Sequence, residues 1–87
     1  MPGLLDVYES LNWVFFDSSA LNAAAYIPAE HLLYLEFRSG ERYRYFGFPP
    51  EQYQDFLAAE SKGTYFRQHI RDRFLFERLA HTRRAGG

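Results

Sequence analysis

Residues 31–46 carry the clearest pattern of apolar and polar positions. In the first half, Leu33, Leu35 and Phe37 fall on one side while Leu32, Tyr34 and Glu36 fall on the other. That period of two is the signature of a half-buried strand. After Ser39-Gly40 the alternation resumes as Arg42, Tyr43, Arg44, Tyr45, Phe46. The loop between the two runs decides which faces align. A two-residue turn would oppose Leu35 and Arg44 and put arginine on the apolar face. A three-residue loop, Arg38-Ser39-Gly40, places glycine third, where left-handed backbone is needed. Leu35 then opposes Tyr43, Leu33 opposes Tyr45, and Glu36 opposes Arg42. Turn chemistry, apolar pairing and charge pairing agree on this second arrangement. It predicts a hairpin with Tyr43 and Tyr45 on the core side, and with Tyr34, Arg44 and Phe46 on the other.

The flanks supply the remaining elements. Leu4, Leu5, Tyr8 and Leu11 recur at helical spacing and predict a short N-terminal helix. Trp13-Val14-Phe15-Phe16 is too short to assign and is expected to dock on the core. Asp17-Ser18-Ser19 interrupts the pattern. Residues 20–27 read as a first strand, although alanine favours sheets poorly, and Pro28-Ala29-Glu30 as a turn. Pro49-Pro50 ends the sheet and opens a helix, with Glu51 complementing its dipole and Tyr53, Phe56 and Leu57 as its buried stripe. Ser61-Lys62-Gly63 is expected to close that helix with Gly63 as a left-handed cap. Thr64 is then the N-cap of a second helix carrying Phe66, Ile70 and Phe74. If that helix is continuous, Arg67, Arg71 and Arg78 lie within about 40° of one another. Residues 81–87 read as a basic tail. The expected fold is α+β: a three-stranded antiparallel sheet, made of the hairpin and the first strand, followed by two C-terminal helices. The expected organisation is an N-terminal helix or arm over residues 1–17, a domain over 18–74, and a helix end with basic tail over 75–87.

Composition sharpens this picture. A chain of 87 residues suggests one small domain with a modest core. Its 20% aromatic content compensates, since each large ring can bury on the order of 150–250 Å². There is no cysteine, so disulfides and thiolate-metal sites are excluded, which fits a reducing cytoplasm. MPGLLDVYES lacks the pattern of a signal peptide, and no run approaches the ~20 apolar residues of a membrane span. The expected location is cytoplasmic, with no membrane partner. Net charge is −1, but it is unevenly placed. Residues 1–61 hold nine acids and three arginines, a balance of −6, whereas residues 62–87 hold seven cations and two acids, a balance of +5. Such asymmetry suits an anionic partner at the C-terminal end, and equally a solvated basic helix and tail.

Candidate chemistry is sparse. Ser18, Ser19 and Ser61 are available as nucleophiles and His31, His69 and His81 as bases, yet no recognised spacing links them. Ser18 and Ser19 read better as backbone partners at a strand entrance, and Ser61 with Gly63 as an interhelical turn. His69 has Asp72 three residues on but no histidine nearer than His81, so the four ligands of a closed zinc site are missing. No phosphate-loop or dinucleotide-binding glycine pattern occurs. No catalysis, metal or cofactor is expected. Single-stranded nucleic acid is held by rings that stack bases and cations that follow phosphates. The candidates are Tyr34, Arg44 and Phe46 from the sheet, with Arg67, Arg71, Arg73 and Arg78 from the helix. The partner would be RNA, either tRNA or a single strand. A protein partner is the rival: rings beside arginines also make contact hot spots, and a short first strand leaves an edge open for pairing. The acidic first 61 residues favour this rival.

Residues 18–71 also carry an ordered set of motifs. They are Ser18-Ser19-Ala20-Leu21, Leu33-Tyr34-Leu35-Glu36-Phe37, Gly40, Tyr43-Arg44-Tyr45, Phe48-Pro49, and then Ala59, Ser61, Gly63, Tyr65-Phe66 and Ile70-Arg71. In this the chain resembles the KTSC domain, named for the C-terminus of some lysyl-tRNA synthetases and also found alone in bacterial proteins. Ala23-Ala24-Ala25 and Phe48 depart slightly from the family pattern. The resemblance implies a structural or binding role for Ser18, Ser19, Tyr43, Tyr45, Ser61, Gly63, Phe66 and Ile70. It brings no catalytic residues. It suggests RNA binding through the company the domain keeps.

Overall fold

The computed structural model describes residues 11–79. Within them lie an α+β fold and one antiparallel sheet of five strands in chain order. The strands are β1 (Val14–Phe15), β2 (Leu21–Ile27), β3 (Leu32–Phe37), β4 (Arg42–Phe46) and β5 (Phe76–Arg78). Between β4 and β5 come helix α1 (Pro50–Ala58) and helix α2 (Lys62–Tyr65), which runs on into a π-helical turn, Phe66–Ile70. Sequence predicts three strands; the two additions are the edges. β1 pairs Val14 with Ala24 and Phe15 with Ala23, and both of its side chains stay exposed. β5 forms because the chain turns back at Asp72, which holds a left-handed φ of 64°.

The hairpin has the register that its loop predicts. Leu33 opposes Tyr45, Leu35 opposes Tyr43 and Glu36 opposes Arg42. Gly40 takes φ 98° and donates its N–H to the Phe37 carbonyl at 2.8 Å. The core lies between this face of the sheet and the helices. Leu21, Leu33, Leu35, Phe48, Phe56 and Ile70 are fully buried there, joined by Tyr45, Tyr53 and Phe66. Each large apolar side chain so buried contributes roughly 1.5–3 kcal/mol. The alanine run also finds its reason here. Ala23, Ala24 and Ala25 have no exposed surface, because both faces of β2 are covered.

The second helix differs from expectation at both ends. Its N-cap is Ser61, whose Oγ accepts the Thr64 N–H at 3.1 Å. Gly63 therefore sits inside the helix and is not a left-handed cap. At the other end Arg71 is extended, with φ −62° and ψ 131°. The helix stops at Ile70, so Arg67, Arg71 and Arg78 do not form one row. Residues 76–78 are strand, not helix end. The helical spacing of Leu4, Leu5 and Tyr8 and the tail from residue 81 lie outside the described residues.

Leu11 lies within them, in a second and smaller cluster on the outer face of the sheet. There Ala25, Tyr34 and Leu79 are buried against Leu11, Trp13, Ile27 and Leu32. β5 delivers Leu79 by pairing beside β4, and the Leu79 N–H donates to the Arg42 carbonyl at 2.9 Å.

Candidate functional site

The outer sheet face does not offer the stacking platform that the sequence predicts. Tyr34 is 3% exposed and belongs to the second cluster, so its ring is closed to a base. Arg44 is on the same face as expected, but its guanidinium pairs with Glu77 on β5. It also lies 5.9 Å from the Tyr34 ring and 5.4 Å from the Phe46 ring. The Glu77 and Tyr34 hydrogen bonds outweigh desolvation and raise its already high pKa, so it is a permanent cation. Arg42 repeats the arrangement one step along, bonding Glu36 at 2.8 Å and lying 5.1 Å from the Trp13 ring. These arginines close the sheet surface. Phe46 alone of the sheet candidates keeps appreciable exposure, at 38%.

The helix-side face carries a better-built feature. Where the hairpin tip, the π-helical turn and β5 meet, five rings wall an open cleft of about 350 Å³: Phe37, Tyr43, Tyr45, Phe66 and Phe76. They brace one another. Phe37 meets Tyr43 edge-on at 5.5 Å and Phe66 edge-on at 5.1 Å. Phe76, 53% exposed, lies 5.8 Å from both tyrosine rings. Phe76 is placed there by its pairing with Tyr45, and Arg78 by its pairing with Tyr43. Ser39, Glu41, Arg71 and Asp72 complete the lining. Glu41 accepts a hydrogen bond from Arg78 at 2.7 Å. Arg71 is exposed and makes no ion pair among the described residues. Burial, then the neighbouring Tyr43 and Asp72, pushes the Tyr45 hydroxyl well above the ordinary tyrosine range. It stays protonated near neutrality. The cleft can thus take a flat apolar group, with a cation at its mouth.

A second, polar hollow of about 400 Å³ lies between the entrance to β2 and the start of α2. It gathers Ser18, Ser19, Ser61 and Gly63 with Lys62 and Arg67. Ser18 Oγ accepts the N–H groups of Ala20 and Leu21 at 3.1 and 3.2 Å, capping the start of β2 as the sequence suggests. Lys62 donates to the Ala59 carbonyl at 2.5 Å and lies 5.3 Å from the Phe16 ring. Arg67 donates to Thr64 Oγ1 at 3.2 Å.

The structure therefore divides the sequence candidates. Tyr43, Tyr45, Phe66 and Arg71 come together at the cleft, and Ser18, Ser19, Ser61, Gly63 and Arg67 at the hollow. Ile70 is core, Arg73 is exposed on the turn before β5, and Tyr34, Arg44 and Phe46 stand on the opposite face. Sequence reasoning missed Phe37 and Phe76 as cleft walls. Alternation of Phe74, Phe76 and Arg78 was the available signal. Among the described residues, no group of three or more histidines and acids is placed to hold a metal ion, and no helix is long and apolar enough to cross a membrane.

The model of the KTSC domain matches residues 17–74. The chain belongs to the KTSC domain family. Its similarity extends to a KTSC domain protein from Yersinia pestis, whose crystal structure it matches with a TM-score of 0.78 at 30% identity, over 82% of this chain and all of that one. A protein of Tsukamurella paurometabola is 47% identical over 58 residues, which is 67% of this chain and 87% of that protein. A lysine–tRNA ligase of Nostoc punctiforme is 36% identical over 64 residues, covering 74% of this chain but 11% of the ligase. Tyr43, Tyr45 and Phe66, three of the five rings that wall the cleft, all lie within the matched span.

Proposed function

We propose that this KTSC domain is a non-catalytic binding module that holds single-stranded RNA in the ring-walled cleft. The observation that carries this reading is the joining of Tyr43, Tyr45, Phe66 and Phe76 around an open volume with Arg71 at its mouth. A base slides against the exposed Phe76 ring, and stacking of this kind contributes ~1–3 kcal/mol per base. The protonated Tyr45 hydroxyl is available as a donor, and Arg71 and Arg73 take the flanking phosphates. The relative from Nostoc is by name a lysine–tRNA ligase, so a domain of this kind occurs in a protein that acts on tRNA.

Titration with tRNA and with short single-stranded RNA at two salt concentrations tests the reading. Binding is expected to weaken as salt rises, because each phosphate contact releases counterions. Arg71→Ala is expected to reduce the slope of log K against log salt by about 0.7. Failure to bind any RNA at low salt would overturn the reading.

One observation favours a protein partner as the second reading. Leu75 is 81% exposed beside the edge strand β5, next to Phe76. Apolar docking there would show association that salt barely affects.

A further inference from the structure

The polar hollow has no role in the reading above, and its position and its hydrogen-bond donors give it one. It meets the cleft at two points. Phe66 walls the cleft while its neighbour Arg67 lines the hollow. At the hairpin tip, Phe37 and Ser39 line the cleft, while the Arg38 N–H between them donates to the carbonyl of Ala20, a hollow residue, at 3.0 Å. Arg38, between those two cleft residues, is exposed.

The hollow sets two cations and a hydroxyl, donors suited to a phosphate ester, beside two carboxylates that balance its charge. Lys62 and Arg67 both line it, each fixed by a hydrogen bond, Lys62 to the Ala59 carbonyl at the end of α1 and Arg67 to Thr64 in α2. Asp17 and Glu60 line it too. Neither pairs with these cations, because the ion pairs among the described residues join Arg42, Arg44 and Arg78 to Glu36, Glu77 and Glu41. Two held cations without contact counter-charges, beside the hydroxyl of Ser19, present donors to an anion and little to an apolar group. The ring-walled cleft has the opposite character.

We infer that the hollow binds a backbone phosphate of the same RNA strand whose base occupies the cleft, the strand crossing over the hairpin tip. This inference rests on the cleft reading and extends it from one base to a run of several nucleotides. It makes the site selective for length: a dinucleotide fills the cleft alone, whereas a hexanucleotide reaches the hollow as well.

Fluorescence anisotropy with a labelled dinucleotide and a labelled hexanucleotide tests this on the full chain. The wild-type protein is expected to bind the hexanucleotide more tightly. Arg67→Ala is expected to weaken the hexanucleotide roughly tenfold and to flatten its salt slope by about 0.7. The dinucleotide is unaffected. Ser19→Asp, which puts a carboxylate into the hollow at an exposed position, is expected to reproduce the loss without removing any helix residue. If both variants fold and bind the hexanucleotide as the wild type does, the inference is overturned while the cleft reading stands. If the wild type binds neither oligonucleotide, the cleft reading falls and the inference falls with it.

Discussion

Gly63 rests directly against Ala20: a methyl group on the Gly63 α-carbon would stand 3.0 Å from Ala20 Cβ. In an unencumbered helix, replacing glycine by alanine stabilises by about 1 kcal/mol. Here the obstructing atom is a β-carbon fixed to its own backbone, so it moves only if the start of β2 moves. Overpacking of this kind costs ~1–3 kcal/mol. Gly63→Ala is therefore expected to destabilise, by about 1 kcal/mol net. Urea denaturation checks it, and a gain in stability would show that helix and strand are not in contact here.

The outer-face residues should matter to stability and not to RNA. Tyr34 fills the second cluster, and Tyr34→Ala is expected to cost ~3–5 kcal/mol, as for other buried rings. Glu77→Gln releases Arg44 from a pair that solvent partly screens, a change of about 1 kcal/mol. Its RNA affinity should stay that of the wild type. Denaturation and RNA titration on the same preparation separate the two effects.

Phe76 should behave in the reverse way. Its ring is half exposed on a three-residue edge strand, so Phe76→Ala removes little buried area. The stability change is expected to be about 1 kcal/mol, with a loss of ~1–3 kcal/mol in RNA binding free energy. A variant that binds RNA normally would leave the cleft without its stacking surface.

Alkaline stability should report on Tyr45. In the unfolded chain its hydroxyl ionises near pH 10, whereas in the fold burial and then its neighbours Tyr43 and Asp72 hold it protonated to higher pH. Between those two values the unfolded state binds fewer protons, so the free energy of unfolding, and with it stability, falls as pH rises. Below about pH 9 the contribution is constant. Denaturation across pH 8–11.5 should show this decline, and Tyr45→Phe should shallow it. Tyr53, also raised by burial, leaves a residual slope.

The hairpin was legible because three independent signals coincide on one register. Gly40 fixes the loop, the leucines find the tyrosines, and Glu36 finds Arg42. The edges were not legible for an equally physical reason. β1 depends on backbone pairing with another strand, and its two residues carry no periodicity. From Phe66 to Phe74 the apolar spacing suits a helix, and nothing local announces that Asp72 adopts left-handed backbone. Once that turn is missed, β5 is lost, and with it Leu79, Phe76 and Glu77. Those three residues decide the fate of both candidate sites. Leu79 helps bury Tyr34, Glu77 occupies Arg44, and Phe76 completes the cleft. Sidedness could be read from one hairpin; availability depends on what lies over it.

The family model closes at residue 74, just short of the strand that brings Phe76 alongside the two tyrosines. A version of the chain trimmed at that boundary would keep every motif residue yet present Tyr43 and Tyr45 as an open bench. The trimmed form would lose the half-exposed ring that roofs those tyrosines, and with it the shape of the depression they floor.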